Sequence, residues 1–229
     1  SNARNQVVAI NVITQVRAIG GSIRNGFGFQ LNLNPAQIVG VQSEYPAIDH
    51  TISLNNNGTE SGQKLATFIL FTDAYQVVTH AGDGSPTLNT TMGYRYVTPT
   101  EKQFTIFLKD PLDPNLITIN KINPFIFRQN DRSHEIHLVG FPPTDLANPD
   151  LFGTGCDATD EAAGIYYQTK NGLPWAMNIP IQFDYTIEKE DILKGFPNLR
   201  AWISSGGYSK ADWYQDKQGY RDWTYIYRW

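Results

Sequence analysis

A short run containing two of the four histidines has residue types that could bind a metal: His134-Glu135-Ile136-His137. If the run is a strand, its side chains alternate between two faces, so Glu135 and His137 share one face and Ile136 lies on the other. Two such side chains could both be ligands. The helical metalloprotease motif has histidines at i and i+4, whereas these lie at i and i+3. We therefore interpret the run as the solvated face of a strand.

The single cysteine, Cys156, lies in the sequence Gly153-Thr154-Gly155-Cys156-Asp157. A catalytic cysteine requires a lowered pKa and a neighbouring base, and the sequence alone identifies no partner histidine. We interpret Cys156 as a loop or core thiol, with a nucleophile as the alternative. One cysteine also excludes an internal disulfide and a zinc site made of thiolates.

Sequence motifs of the common catalytic classes are missing. The chain has no Gly-x-Ser-x-Gly elbow, no phosphate-binding loop and no dinucleotide fingerprint. A carboxylate pair for glycoside cleavage cannot be identified from sequence, because its separation is a three-dimensional quantity. We name no catalytic residue and predict that the protein has no hydrolase activity.

A proline-containing loop from position 145 to 161 concentrates acidic residues. Calcium takes several oxygen ligands, often from such loops, and Asp157, Asp160 and Glu161 are the candidate metal ligands. The alternating Asp/Asn pattern with a central glycine is missing. The alternative is a solvated acidic loop. We predict that folding requires neither calcium nor another cofactor.

The last residues place an aromatic side chain at every second position: Trp223, Tyr225, Tyr227 and Trp229. On a strand these four rings would share one face. An exposed row could stack on sugar rings, whereas a buried row would cap the core. Because burying such a large apolar area is favourable, we predict a strand from 223 to 229 whose aromatic face is largely buried.

Alternating, β-branched and aromatic segments must position these residues, and they predict strands through most of the chain. The predicted strands are 6–19, 27–33, 38–41, 51–54, 65–71, 104–108, 124–128, 135–139, 165–168 and 181–185. The segment from Asp110-Pro111 to Pro114 is predicted to break the chain. One helix is predicted within 188–204, ended by Gly206-Gly207. The pattern indicates a mainly β fold: an antiparallel, jelly-roll-like β-sandwich with one short helix in the C-terminal region.

Composition limits the class of protein. Of 229 residues only 17% are charged, the net charge is −4, and no basic run offers a nucleic-acid surface. No stretch approaches the ~20 apolar residues of a membrane span. We interpret residues 1–3 as an expression-tag remnant and predict a single domain over 4–229. Since Arg4 begins a strand-like run without an initiator Met, we expect a fragment with any signal peptide or lipid-anchor cysteine upstream.

Three sets of residues together resemble a known family. They are Val16-Arg17-Ala18-Ile19-Gly20-Gly21 with Asn25-Gly26-Phe27-Gly28; Asn123-Pro124-Phe125-Ile126 with Pro142-Pro143-Thr144; and Tyr166-Tyr167-Gln168-Thr169-Lys170-Asn171-Gly172-Leu173-Pro174-Trp175-Ala176 with Asp212-Trp213-Tyr214. This resembles the LruC-type domain of bacterial envelope proteins and lipoproteins, over about residues 7 to 214.

The resemblance implies an exported bacterial protein at the cell surface, associated with the outer membrane or in the periplasm. It implies no activity and no catalytic residue. Four aromatic residues of these stretches, Tyr167, Trp175, Trp213 and Tyr214, are the candidate binding residues, because flat rings stack on sugars. An alternative structural interpretation is that Trp175 fills the core behind Pro174.

Three functions remain open. The first is a binding or adhesion module, with a glycan as the candidate ligand, which an exposed aromatic row would favour. The second is a structural module that assembles with another envelope protein, which a flat apolar patch or an open sheet edge would favour. The third is a polysaccharide-acting hydrolase, which perturbed acids converging in a pocket would favour.

Overall fold

The computed structural model describes residues 6–46, 48–78, 82–85 and 87–229. Residues 1–3, interpreted as a tag remnant, lie outside these ranges. Within them two antiparallel sheets form, in the orders β1-β5-β3 and β4-β2-β6-β7. The strands are β1 (Val7–Gln15), β2 (Asn25–Leu31), β3 (Ile38–Ser43), β4 (Ala66–Phe71), β5 (Glu101–Leu112), β6 (Ile122–Arg128) and β7 (Asp131–His137). The predicted mainly β, antiparallel sandwich is confirmed.

The core between the sheets is made by side chains that alternate along the strands. Phe29 and Leu31 of β2 are buried against residues of the three-stranded sheet. The Phe104 ring of β5 packs edge-on against the rings of Phe29 and Phe68, with centroids 6.2 and 5.8 Å apart. Burying one such side chain contributes about 1.5–3 kcal/mol. These contacts place β5 over β2 and β4.

The opposite face of the four-stranded sheet is covered by aromatic rings that need glycines beneath them. A Cβ on Gly26 would lie 2.2 Å from the Phe127 ring, and one on Gly28 would lie 2.6 Å from a backbone oxygen of Phe68. Phe125 and Phe127 of β6 fill this space with Ile69. The glycines of β2 are therefore required by close packing.

Two of the predicted element boundaries are wrong. The break predicted from Asp110 to Pro114 begins later than expected, because β5 continues through Pro111 to Leu112, which pairs with Val7 of β1. The β3 ladder ends at the Ile38–Leu108 pair, so Pro111 has a strand neighbour on one side only, where proline is tolerated. Residues 51–54 form a turn with one bridge, between Leu54 and Glu60.

After His137 the described chain forms turns and isolated bridges instead of strands. The predicted strands at 165–168 and 181–185 are therefore wrong, since bridges such as Gln168–Pro174 connect single residues only. The described residues form three short α-helices: α1 (Ala74–Val77), α2 (Ile192–Gly195) and α3 (Leu199–Ser204). The single helix expected within 188–204 is interrupted at Phe196, which precedes Pro197 and leaves the helical conformation.

A separate core holds the C-terminal part together. Phe196, Leu199, Trp213 and Ile226 are each almost fully buried in one cluster. The Glu188 carboxylate accepts the backbone N–H of Gly21, which joins this part to the turn after β1. None of the described helices has the length and apolarity that crossing a bilayer requires. The extent of one domain over 4–229 stays a prediction.

Candidate functional site

The outer edge of β1 is unpaired within the described ranges. The outer edge of β4 accepts the Glu60 N–H at the Thr67 carbonyl, and that of β7 accepts the Asn148 N–H at the Ser133 carbonyl, whereas no described backbone group bonds to the corresponding edge of β1. The nine residues of β1 include no charge, no proline and no glycine. Sheet edges are normally protected by such residues or by a covering loop, so this edge is suited to pairing with another strand.

A groove opens directly beneath this edge, because the sheets have different widths. β5 lies over β2 and β4, and β1 lies next to β5, so no strand of the narrower sheet covers β7. Val12 and Thr14 of β1 form one wall, and Ile126 of β6 and Ile136 of β7 form another. We call this space of about 500 Å³ the apolar groove.

The apolar groove continues into a second depression of about 670 Å³. The two share the residues Leu138, Phe141, Ala176, Met177 and Asn178. We call this second space, whose walls include Trp202, Trp213 and Tyr214, the aromatic depression. Together they form one long, mostly apolar cleft from β1 to the C-terminal cluster, with the volume and lining of a binding site.

On the other face of the four-stranded sheet lies a buried polar cluster. The Arg132 guanidinium donates to both carboxylate oxygens of Glu60, at 2.6 and 2.7 Å, and to Glu135 at 3.0 Å. Glu135 also contacts His137, whose other ring nitrogen lies 2.7 Å from the Asn123 side-chain oxygen. The charged groups of this polar cluster are bonded to one another, as buried charges require.

This cluster corrects the expectation of a solvated strand face at 134–137. Glu135 and His137 do share a face, but His137 is fully buried and Glu135 nearly so. The His137 ring lies between the rings of Phe125 and Tyr167, and its centroid is 4.8 Å from each of theirs. Burial lowers the pKa of the His137 imidazole, although the neighbouring Glu135 carboxylate opposes this shift.

A cavity of about 240 Å³ lies beside the polar cluster, and we call it the Trp175 cavity. Its aromatic walls are Phe152, Tyr167 and Trp175, and its polar walls include Glu135 and Asp157. The Trp175 indole is 42% exposed and donates to Asp157 at 2.8 Å. The interpretation of Trp175 as a core residue is therefore wrong.

Tyr167 holds an unusual position in this cavity. Its φ angle is +54°, in the left-handed region that aromatic residues rarely adopt. Two backbone hydrogen bonds hold this conformation. The backbone N–H of Tyr167 donates to the Thr159 hydroxyl, and the backbone N–H of Trp175 donates to the Tyr167 carbonyl. Its side chain is buried, and its hydroxyl has no hydrogen-bond partner among the described residues.

The four predicted binding residues lie in two places. Tyr167 and Trp175 share the Trp175 cavity, whereas Trp213 and Tyr214 lie at the aromatic depression. Trp213 is almost fully buried and packs edge-on against Phe196, so it belongs mainly to the core. Whether any of the four binds a ligand stays a prediction.

The three candidate metal ligands have their oxygens engaged elsewhere or lie apart. Asp157 accepts from Trp175, Thr159 and Gly153, and Asp160 accepts the N–H groups that follow it in its own turn. Glu161 is exposed. Over the ranges described, no three His, Cys, Asp or Glu side chains are grouped as a metal would require. Calcium binding at these residues stays untested.

Two carboxylates, Glu135 and Asp157, line the Trp175 cavity, so the hydrolase alternative applies here. Burial raises the pKa of Glu135, but the hydrogen bond from His137 and the charge of Arg132 hold it below its usual value. Burial likewise raises the pKa of Asp157, and hydrogen bonds led by Trp175 lower it overall. A glycosidase needs one carboxyl with a raised pKa, and neither has one.

The C-terminal aromatic row does not form the predicted strand. Residues 223–229 contain a turn and one bridge, from Ile226 to Thr186. Tyr227 is buried, whereas Trp229 is 70% exposed and stacks on Tyr96. The core residue is Ile226, which lies between the aromatic positions.

Sequence reasoning missed the groove, although one signal was available. The absence of charge and proline between positions 7 and 15 indicates an unprotected edge. The walls of the groove come from segments more than a hundred residues apart, such as Val12 and Ile136, and no local pattern brings these together. The same holds for Cys156 and His134, which line one cavity.

Comparisons with known proteins give two findings. The model of a family described as a domain of unknown function, DUF4842, matches residues 5–214. A solved structure titled a "putative lipoprotein" from Bacteroides ovatus has the same fold, with a TM-score of 0.67 and 16% identity, over 96% of this chain. This chain spans 63% of that one. No curated protein matches significantly in sequence. Neither match carries the LruC-type name, and that resemblance stays a prediction.

Proposed function

The chain belongs to the DUF4842 family, and we propose that its sandwich is a binding module that accepts an extended segment of another envelope protein. The single observation that carries this proposal is the edge of β1 beside the apolar groove, to which no backbone group of the described residues is bonded. An incoming strand would pair its backbone with β1 and cover the exposed inner face of β7.

The chemistry of the groove favours a strand with alternating apolar residues. Successive side chains of a strand point to opposite faces, so every second residue of the ligand would enter the groove. The floor there is apolar, with Ile126, Ile136 and Pro124. Four apolar residues at or near the cleft are at least one third exposed: Ile119, Ile126, Val139 and Met177. Covering them would contribute to affinity through apolar burial.

An envelope location is part of the same proposal. The structural relative named as a lipoprotein supports an exported bacterial protein, at the cell surface or in the periplasm. An unprotected nine-residue edge strand is a self-association hazard, and a permanent or frequent partner removes that hazard. Assembly with another envelope protein therefore accounts for the location and the edge together.

Glycan binding remains a second candidate with less support. It rests on Tyr167 and Trp175, which line one cavity, but the C-terminal row that would form a platform is not a strand. A glycan array tests it directly, with Trp175→Ala as the variant that should lose binding.

The strand proposal can be tested with two libraries of ten-residue peptides. One library alternates apolar and polar residues, and the other has the same composition in scrambled order. We expect selective binding of the alternating library, weakened roughly tenfold by Ile126→Asp, because the charge would be buried without a partner. Val39→Asp, on the exposed face of β3, is the matched control and should bind normally. Equal binding of both libraries, or equal loss in both variants, would contradict the proposal.

A further inference from the structure

We infer that the Trp175 cavity binds a small organic cation, an ammonium group carried on a short aliphatic chain or a single ring. Most of the site lies on the opposite face of the four-stranded sheet from the apolar groove, and the two spaces have Ile136 in common. Its size, about 240 Å³, suits one such group and not an extended polymer.

The aromatic walls are the first observation. Phe152, Tyr167 and Trp175 line the cavity, and Trp175 is only partly buried, so its ring is open to an incoming group. A cation near the face of an aromatic ring is attracted by the ring's negative face, most strongly for tryptophan. Aromatic walls alone would also suit a sugar, so the charges decide between the two.

The charges around the cavity are the second observation. Glu135 and Asp157 both line it. Glu60 and Glu135 share one guanidinium, that of Arg132, and Asp157 adds a third carboxylate at the cavity.

Asp157 is bonded by neutral donors only, namely the Trp175 indole, the Thr159 hydroxyl and backbone N–H groups. The nearby Lys170 is exposed, and its ammonium donates to the Gly155 carbonyl. An excess of negative charge beside aromatic faces selects a cation over a neutral ligand.

The hydroxyl of Tyr167 is the third observation. It is a buried polar atom without a partner in the described residues, although the surrounding polar groups are bonded to one another. An unpaired buried hydroxyl is costly, and most buried polar groups of proteins have a hydrogen-bond partner. A phenol oxygen can accept a hydrogen bond from an N–H donor that enters the cavity.

The electrostatic environment of the phenol agrees with this assignment. The pKa of Tyr167 is raised, first by burial and then by the negative charges of Glu135 and Asp157, with Arg132 opposing them. The two carboxylates that line the cavity therefore both act on the phenol, in the sense that a cation site requires. His134 also lines the cavity and is exposed.

The test is a titration followed through the indole N–H proton of Trp175 by NMR, assigned with Trp175→Phe. The cationic probes are n-butylamine, Nα-acetyl-lysine methylamide and glucosamine, and the neutral probes are n-butanol and glucose. We expect saturable shifts with cations only. Tighter binding of the lysine derivative would identify a protein side chain as the source of the ammonium, and tighter binding of glucosamine an amino sugar.

Two variants separate binding from folding. Tyr167→Phe removes only the hydroxyl, and Asp157→Asn removes the unneutralised charge; each should weaken amine binding roughly tenfold while the domain stays folded. Asp216→Asn, an exposed site outside the cavity, is the control for net charge and should leave binding unchanged. No response to any amine, an equal response to glucose and glucosamine, or unchanged binding in both cavity variants would overturn the inference.

Discussion

Arg132 donates hydrogen bonds to both oxygens of the Glu60 carboxylate, from Nε at 2.6 Å and from Nη2 at 2.7 Å. This contact joins β7 to the loop before β4. The two residues lie 72 positions apart in the chain. The guanidinium also lies over the rings of Phe125 and Phe127. It therefore neutralises buried acids and covers the aromatic face of β6 at the same time.

Removing this arginine should strongly destabilise the fold. Arg132→Met leaves Glu60 and Glu135 buried without their cation, and breaking such a cluster typically costs about 3–5 kcal/mol. Urea unfolding measures the change in free energy. Arg128→Met on the exposed end of β6 is the matched control, expected within about 0.5 kcal/mol of the parent. Equal stability of the two variants would show that the buried cluster does not hold the fold.

The same cluster predicts an acid-sensitive stability. The pKa of Glu135 lies below its usual value of 4.5. A carboxyl with a lowered pKa stabilises the folded state above its unfolded pKa, and that stabilisation is lost as the pH falls through the folded value. The melting temperature should therefore decrease when the pH is lowered past about 4.5. The Glu135→Gln variant should be less stable at pH 7, and its melting temperature should depend less on pH in the acid range. If that dependence were unchanged, the loss of stability in acid would belong to other carboxyl groups.

Two glycines in strands offer a clean comparison of packing. A Cβ at position 28 would meet the Phe68 backbone and the Phe125 ring, so Gly28→Ala should cost about 1–3 kcal/mol through overpacking. Gly40 in β3 has no atom within 4 Å of the corresponding point. Gly40→Ala should be neutral or stabilising by up to about 1 kcal/mol. Thermal melts of both variants measure the difference in stability. A Gly28→Ala variant as stable as the parent would show that the aromatic rings of β6 can move to make room.

The C-terminal core depends on an aliphatic residue and not on the terminal tryptophan. Ile226 is 1% exposed among Phe196, Leu199 and Trp213, so Ile226→Ala should destabilise by about 2–5 kcal/mol. Trp229→Ala should change stability much less, because that ring is mostly exposed. Denaturant unfolding of both variants tests this order. A larger loss of stability in Trp229→Ala than in Ile226→Ala would contradict this and would favour the buried aromatic strand predicted from the sequence.

The part of the fold that sequence predicts is the part with local periodicity. Alternation at Phe27, Phe29 and Leu31 correctly indicates a strand with a buried face. β4 is buried at every position, and its almost continuous apolar sequence indicates it instead. Beyond His137 the apolar residues also recur at short spacing, but Ile165 forms only an isolated bridge with Asp160, and Ile181 lies in a bend. Short apolar segments there pack by tertiary contacts, which periodicity does not encode.

The candidate sites were less predictable for the same reason. Tyr167 and Trp175 are near in sequence, and the structure places them in one cavity. Glu135 and Asp157 reach that cavity from a strand and a loop, and the groove joins Val12 to Ile136. Such groupings depend on sheet order and on the offset between the sheets, and neither is written in local spacing.

Hydrogen–deuterium exchange of the β1 amides is the most direct measurement of strand binding. It compares the free protein with the complex of the tightest peptide from the alternating library. Pairing at the open edge should protect every second amide of β1, those directed away from β5, while the β3 amides stay unchanged. Unchanged exchange throughout β1 at saturating peptide, with protection appearing elsewhere, would contradict the account.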